Sequence, residues 1–491
     1  MPVQLIGTLI LLLMLSAVFF GYRFLKAHQH KSALFVIVFL GLVLRIFITS
    51  DAGLHEWDER YHALVAKNMM DEPFKPMLYK NPVLPYDYKN WTENHIWLHK
   101  QPMTLWLMAG SMKIFGVNEF AVRLPSILLT TLGILLIFSI GKMLWNEKVG
   151  LYAAFFYAIH GLILEQTGGR VTTDHVDIAL LFFIQLGVYL ALVFFERKTL
   201  WFNILCGIAI GMALLTKWLP ALIVLPIWLI AGWNKFDGSK KSLMLHFLLL
   251  ITVIVGVALP WQIYIHAQFP NEAIWESQYN FRHLIDDIEN HAKPWYYYLN
   301  LIRELFGELI YLPLLWMLYG FFKKTRDYKH LILLTWIIVP LVIFSLAKTK
   351  MQGYILFSAP AYFLVAALFI EYLLNNQEKF KWKKWTLALV VLLFALPLRY
   401  SVERIKPFRD RSADFTWMED IRQLKKSHAN INKTLIFNTE RYIEVMFYTD
   451  CIAYPFGVNP QQKEALIQKG YIVLDDFETA ILPPKTLRFT Q

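Results

Sequence analysis

Charge is scarce in this chain. Only 17% of the 491 residues are Asp, Glu, Lys or Arg, whereas 57% are apolar and 16% aromatic. That balance excludes an ordinary soluble domain of this length. Cysteine is rarer still: Cys206 lies inside an apolar run and Cys451 in the C-terminal segment, so no disulfide framework is implied. A Gly-rich phosphate loop and a HExxH metal pattern are both missing. No internal repeat is evident, which counts against a transporter assembled from inverted halves. The first apolar run has its basic residues after it and lacks a small-residue cleavage site, which predicts a retained helix rather than a signal peptide.

What is present is a succession of apolar runs close to the ~20 residues that a helix needs to cross a ~30 Å hydrocarbon core. They predict about twelve spans. These lie near Val3 to Tyr22, Ser32 to Ser50, Ala121 to Gly141, Val149 to Glu165, His175 to Phe195, Trp201 to Thr216, Trp218 to Gly232, Leu243 to Ile263, Phe306 to Phe322, Leu331 to Leu346, Tyr354 to Leu373 and Trp385 to Leu398. Uninterrupted runs of this kind mean helices, since only helices and closed barrels satisfy their backbone in lipid. The bilayer is therefore the first partner.

The formal charge of +11 would suit nucleic acid if it formed one face or stripe. Instead it falls in short alternate loops, at Arg23 to Lys31, Lys142 and Lys148, Arg197 and Lys198, Lys235 to Lys241, Lys323 to Lys329 and Lys379 to Lys384. This is the positive-inside distribution, and no nucleic-acid partner is expected. It puts the connections around residues 51–101, 170–177, 265–303 and 347–353, with everything after Leu398, on the outer side.

After Leu398 the composition becomes that of a soluble domain. TLIFN and YIVLDD read as buried strands, ERYIEVMFYTD and QQKEALIQKG as helices. The division is thus a membrane domain over 1–398, carrying a large first outer loop over 51–101, and a small α/β domain over 399–491.

Polar chemistry collects on the outer face. Asp58 and Glu59 stand at the start of a short helical pattern, RYHALVAKNM, where negative charge is favoured by the helix dipole alone. Asp174 and Asp177 are three apart and so share a helix face at the mouth of a span, with His175 between them and Arg170 one turn before. Lys100, Arg123, Lys217, Lys348 and Lys350 stand beside spans on the side where positive charge is disfavoured. Snorkelling explains any one of them, but together they ask for a bound anion, most simply a lipid phosphate. Outer-face tryptophans, including Trp57, Trp91, Trp97 and Trp106, are expected to form an interfacial belt for the most part, though they are also suited to stacking on sugar rings. His95 and His99, with Glu56 or Glu93, give a weak metal pattern; the expectation is that no metal is required.

The motifs WDERYHALVAKNM, HKQPMTLWLMAGSMKIFGVNEFAVRLPS, GGRVTTDHVDIALLFF, GMALLTKWLPALIVLP, ALPWQIYIHAQFP and FSLAKTKMQGYILFSAP, in this order, resemble those of the protein mannosyltransferase and lipid A aminoarabinose transferase superfamily. The resemblance covers roughly the first 370 residues. It implies an all-α polytopic GT-C fold in the bacterial inner membrane with its active site outside. It also implies a polyprenyl-phosphate sugar donor, inversion at the sugar carbon, and a lipid, glycan or protein acceptor. On this reading Asp58 and Glu59 are the catalytic pair, Asp58 the base and Glu59 orienting the acceptor; Lys100 meets the donor phosphate, Asp174 matches the acidic residue after the fourth span with Asp177 the alternate, and Lys350 and Tyr354 form a KxxxY element, while Arg170, beside Asp174 and Asp177, joins the substrate-binding set. Two departures stand out. Arg60 and Tyr61 follow Glu59 directly instead of after one intervening residue, a shift of about 100° around a helix, and the KPP segment reads KQP at Lys100 to Pro102. A transporter or flippase of a lipid-linked sugar is the alternative, since it would also need outer cations and aromatics.

Overall fold

The computed structural model describes residues 2–172, 174–288, 290–323, 327–380, 382–427 and 431–476. The chain divides into two compact units. The first comprises Met1–Thr49, Lys100–Thr104 and Ser126–Arg409. The second comprises Ser50–His99, Leu105–Pro125 and Asp410–Gln491.

Every apolar run named above falls on a helix of the described residues. Among the described residues eight helices are long and apolar enough to cross a membrane: Val3–Lys26, His30–Ile48, Glu119–Leu144, His175–Arg197, Lys240–Gln268, Tyr328–Leu346, Gln352–Asn375 and Lys383–Ile405. Two bent pairs, Glu147–Ile159 with Gly161–Thr167 and Tyr297–Phe306 with Tyr311–Lys323, and two shorter apolar helices, Leu200–Leu214 and Leu219–Lys235, account for the other four runs. In the apolar windows of His175–Arg197 and Gln352–Asn375, 89% and 94% of residues are buried, against 17% in Lys240–Gln268 and in Lys383–Ile405. The first pair are apolar all round because protein surrounds them; the second pair leave their apolar surface to lipid.

Close approach inside this unit depends on small residues. A Cβ on Gly141 would stand 2.7 Å from the Gly150 Cα, so Glu119–Leu144 and Glu147–Ile159 meet backbone to backbone, as small-residue contacts allow in membranes. Both bends have local causes. At the 51° bend, His160 turns extended and its Nδ1 accepts from the Ile163 amide, capping the next helix. At the 110° bend, Gly307 adopts a φ of +95°, open to glycine because it has no Cβ.

The second unit is built on a parallel sheet of order β2-β1-β3, with β1 Thr434–Ile436, β2 Ile452–Ala453 and β3 Ile472–Leu474. Leu435 pairs with Ile452 and Val473. The helices Tyr442–Tyr448 and Pro460–Gln468 are the two read from sequence; the second starts on a capping box of Asn459 and Gln462. Its core is joined by the loop over residues 51–101: Leu54, Tyr61, Leu64 and Trp97 pack in one cluster with Phe437, Ile443 and Phe447. Where the sequence reading grouped 51–101 with the membrane domain, contacts group 50–99 with the C-terminal residues, because the loop's apolar side chains find their burial there.

Candidate active site

In the second unit, Asp58 opens the Asp58–Met69 helix and is partly buried. Glu59 beside it is fully buried and gripped by Arg123, also fully buried. The Arg123 Nε donates to Glu59 Oε1 at 2.7 Å and Nη2 to Oε2 at 3.0 Å, a two-pronged geometry that fixes orientation as well as charge. The same guanidinium donates to the carbonyls of Asp51 at 2.7 Å and Gly53 at 2.6 Å, and Glu59 Oε2 accepts from the His55 amide at 2.6 Å. One arginine thus sets the course of the chain from Asp51 to the helix start.

The rest of the helix is tied to the C-terminal segment. Arg60, which fell out of register in the motif comparison, donates to the buried Glu444 at 3.1 Å. The Tyr61 hydroxyl meets that of Tyr442 at 2.8 Å, and Tyr442 donates to the Thr92 carbonyl at 2.9 Å. Burial pushes both phenols up, so they stay protonated donors at neutral pH. Lys67 donates to the carbonyls of Met446, Phe447 and Thr449 at 2.8–2.9 Å, where a helix end leaves them without intrahelical partners.

The histidines of the weak metal pattern are occupied by rings. His95 stacks on Tyr86 at 4.0 Å and His99 on Trp91 at 4.8 Å. Burial holds the His95 imidazole below its usual range. Among the described residues no group of three or more His, Cys, Asp or Glu is placed to hold a metal ion.

In the first unit, the KxxxY element and the acidic span mouth meet. Lys217 donates to Asp177 Oδ1 at 2.7 Å, and its ammonium sits 4.7 Å from the centre of the Tyr354 ring. Asp177 is buried. Asp174, also buried, immediately precedes the His175–Arg197 helix, and its carbonyl accepts from the Asp177 amide at 3.1 Å. His175 Nδ1 and the Ser126 hydroxyl lie 2.7 Å apart. Arg170 donates to the Ile405 carbonyl at 3.1 Å, at the end of the Lys383–Ile405 helix. Lys100 is partly buried, two residues before the Pro102–Phe115 helix.

Lys350 is buried to 4% exposure, and its ammonium donates to the Ala347 carbonyl. Among the described residues no carboxylate pairs with it. Burial, and then the charge of Lys348, hold it below the usual lysine range. Its backbone is clamped: the amides of Lys348, Thr349 and Lys350 donate to the carbonyls of Leu284, His283 and His291 at 3.1, 3.3 and 3.0 Å. Thr349 Oγ1 accepts from the Ile288 amide at 3.1 Å and donates to the Asp286 carbonyl at 2.9 Å. From the other side, Arg404 bonds Glu165 at 2.6 Å and the Gln352 amide oxygen at 2.9 Å.

Several of these partners are invisible in sequence. Arg123 and Lys217 were expected to want a bound anion; their anions are Glu59 and Asp177. Arg404, Glu165 and Glu444 carried no sequence signal beyond being charged.

The model for dolichyl-phosphate-mannose-protein mannosyltransferases matches residues 99–264. An undecaprenyl phosphate-α-4-amino-4-deoxy-L-arabinose arabinosyl transferase of Pseudomonas fluorescens Pf-5 is 32% identical, over 51% of this chain and 43% of its own length. The enzyme of that name from Pseudomonas aeruginosa PAO1 is 27% identical, over 54% and 49%. The chain spans about half the length of the curated relatives it matches. Among solved structures, ArnT from Cupriavidus metallidurans bound to undecaprenyl phosphate superposes with a TM-score of 0.62 at 15% identity, covering 93% of this chain and 90% of that one. The oligosaccharyltransferase AglB from Archaeoglobus fulgidus, in complex with an inhibitory peptide and a dolichol-phosphate, gives 0.58 at 14% identity, covering 91% and 69%. With its apolar helices, this likeness over nine-tenths of its length makes the chain a multi-pass membrane protein of the GT-C fold found in membrane glycosyltransferases.

Proposed function

We propose that this protein is an inverting glycosyltransferase that moves a sugar from a polyprenyl-phosphate donor to a hydroxyl or phosphate of a lipid, glycan or protein. The reaction takes place on the outer face of the bacterial inner membrane. The observation that carries the reading is Lys350: a buried ammonium without a carboxylate among the described residues, beside Lys348, on a segment clamped by main-chain bonds. Such a charge is costly to keep, and an anionic ligand removes the cost. The named relatives supply the class of anion, an undecaprenyl phosphate carrying 4-amino-4-deoxy-arabinose, and lipid A becomes the first acceptor to test.

The chemistry follows from three groups. Asp58 removes the acceptor proton as its oxygen attacks the anomeric carbon, a contribution of about 10²- to 10⁴-fold in rate. The bond from that carbon to the phosphate oxygen breaks on the opposite face, which inverts the configuration. Lys350 and Lys100 stabilise the charge that grows on the departing phosphate. Glu59 acts through Arg123, fixing the segment that leads into Asp58, and is a positioning residue rather than a member of a catalytic pair. Asp174 and Asp177, with Lys217 and Tyr354, form the polar wall of the donor side.

Mass spectrometry of the lipids and glycans of a deletion strain against its parent tests this. The expected result is loss of one sugar from an envelope acceptor with accumulation of the sugar-loaded polyprenyl phosphate. An unchanged acceptor profile would contradict it.

A further inference from the structure

Trp57 is the residue that folding explains least. Its φ of 72° and ψ of −134° lie in a region that glycine visits and a bulky residue avoids. The side chain is 65% exposed, so most of the gain from burying an indole is unrealised. It makes no hydrogen bond and no ring contact with any described residue. Both flanks are fastened. Glu56 pairs with Arg441 at 3.2 Å, and Arg441 also packs over Trp417 at 5.1 Å; two residues beyond Trp57, Glu59 is held by the Arg123 fork. The surrounding contacts therefore impose the unfavourable backbone and project the ring outward, immediately before Asp58.

We propose that the Trp57 indole is the platform on which a substrate sugar ring stacks next to Asp58. This rests on the glycosyltransferase reading given above. Its flanking residues are acidic, Glu56 and Asp58, which suits a neutral or cationic sugar and disfavours an anionic headgroup. An indole face meets the apolar face of a sugar ring and attracts an ammonium carried on it. The ring belongs either to the donor or to the acceptor, and the two are separable by experiment.

Hydroxyl-radical footprinting of the full-length protein in detergent, with mass-spectrometric readout at Trp57, is the direct test. Probes are bare undecaprenyl phosphate, undecaprenyl phosphate carrying 4-amino-4-deoxy-arabinose, and lipid A. Trp57 is expected to oxidise readily with the bare lipid phosphate and to be protected several-fold by one of the sugar-bearing probes, which names the donor or the acceptor as the source. Equal protection by bare undecaprenyl phosphate, as for a residue anchored in lipid, or protection by neither sugar overturns the proposal.

Variants add an independent arm. Trp57→Ala keeps the strained backbone without the ring, Trp57→Gly removes both strain and ring, and Trp57→Phe keeps a ring. Transfer efficiency is expected to fall about tenfold in the first two, the scale of an aromatic face contact, and to stay within about threefold in Trp57→Phe. The thermal midpoint should rise in Trp57→Gly relative to Trp57→Ala. Full activity in Trp57→Ala overturns the proposal. Asp58→Asn, by contrast, should abolish transfer and leave footprint protection intact; protection together with undiminished transfer in Asp58→Asn would refute the base assignment and leave the platform standing.

Discussion

Glu59 and Arg123 are both fully buried, and their ion pair spans 64 positions of sequence. Removing one member of such a pair leaves the other charge without compensation, which typically costs about 3–5 kcal/mol. Glu59→Gln should therefore destabilise the solubilised protein by that amount in unfolding titrations, whereas Asp58→Asn, at a partly exposed helix start, should cost less, on the order of the 0.3–1 kcal/mol that a helix N-terminus gives a negative charge. Equal stability loss in the two would remove the division of labour assigned to the acidic pair. That division was not legible from sequence: the pair and its place at a helix start were, but only the fold shows which carboxylate Arg123 takes. Lys350 offers a pH test. Burial and Lys348 hold its pKa below the usual lysine range, so its charge is lost, as pH rises, earlier than that of an ordinary lysine. The donor KM should climb on the alkaline side before pH 10.5, and Lys350→Arg, whose guanidinium keeps its proton, should postpone the climb. An alkaline limb identical in the two proteins contradicts phosphate binding by Lys350.

At the scale of elements, the apolar runs were readable because a span needs length and hydropathy alone, and each run falls on a helix or a bent pair. The break at His160 was not readable, since it lies within an apolar run, and the one at Gly307 fell in the charged lead-in RELFGE, where the span reading did not separate two helices. Nor was the clamp on the Lys350 segment, formed by backbone amides and carbonyls that any residue possesses. A side-chain stitch beside Lys350 is Thr349, which serves both the Ile288 amide and the Asp286 carbonyl. Thr349→Val keeps the shape and removes both bonds, leaving two backbone groups unsatisfied at about 1–3 kcal/mol each. Hydrogen exchange should accelerate at the Ile288 and Lys350 amides, and the donor KM should rise more than kcat falls. Unaltered exchange would mean that the clamp holds without Thr349.

For the whole molecule, the two strands of the C-terminal segment nearest to ordinary sequence patterns, β1 and β3, were anticipated, while the two-residue β2 was too short to register. The compact unit that 50–99 forms with the C-terminal residues was hidden for a different reason. Its contacts, such as Tyr61 to Tyr442 across 381 positions, are among residues that each look locally like ordinary loop or helix. The proposed sugar transfer depends on Asp58. The most direct measurement is transfer of radiolabelled 4-amino-4-deoxy-arabinose from undecaprenyl phosphate to lipid A in proteoliposomes containing the wild-type protein or Asp58→Asn. The account predicts robust transfer by the first and a loss of at least about 10²-fold in the second; wild-type rates in Asp58→Asn would contradict it.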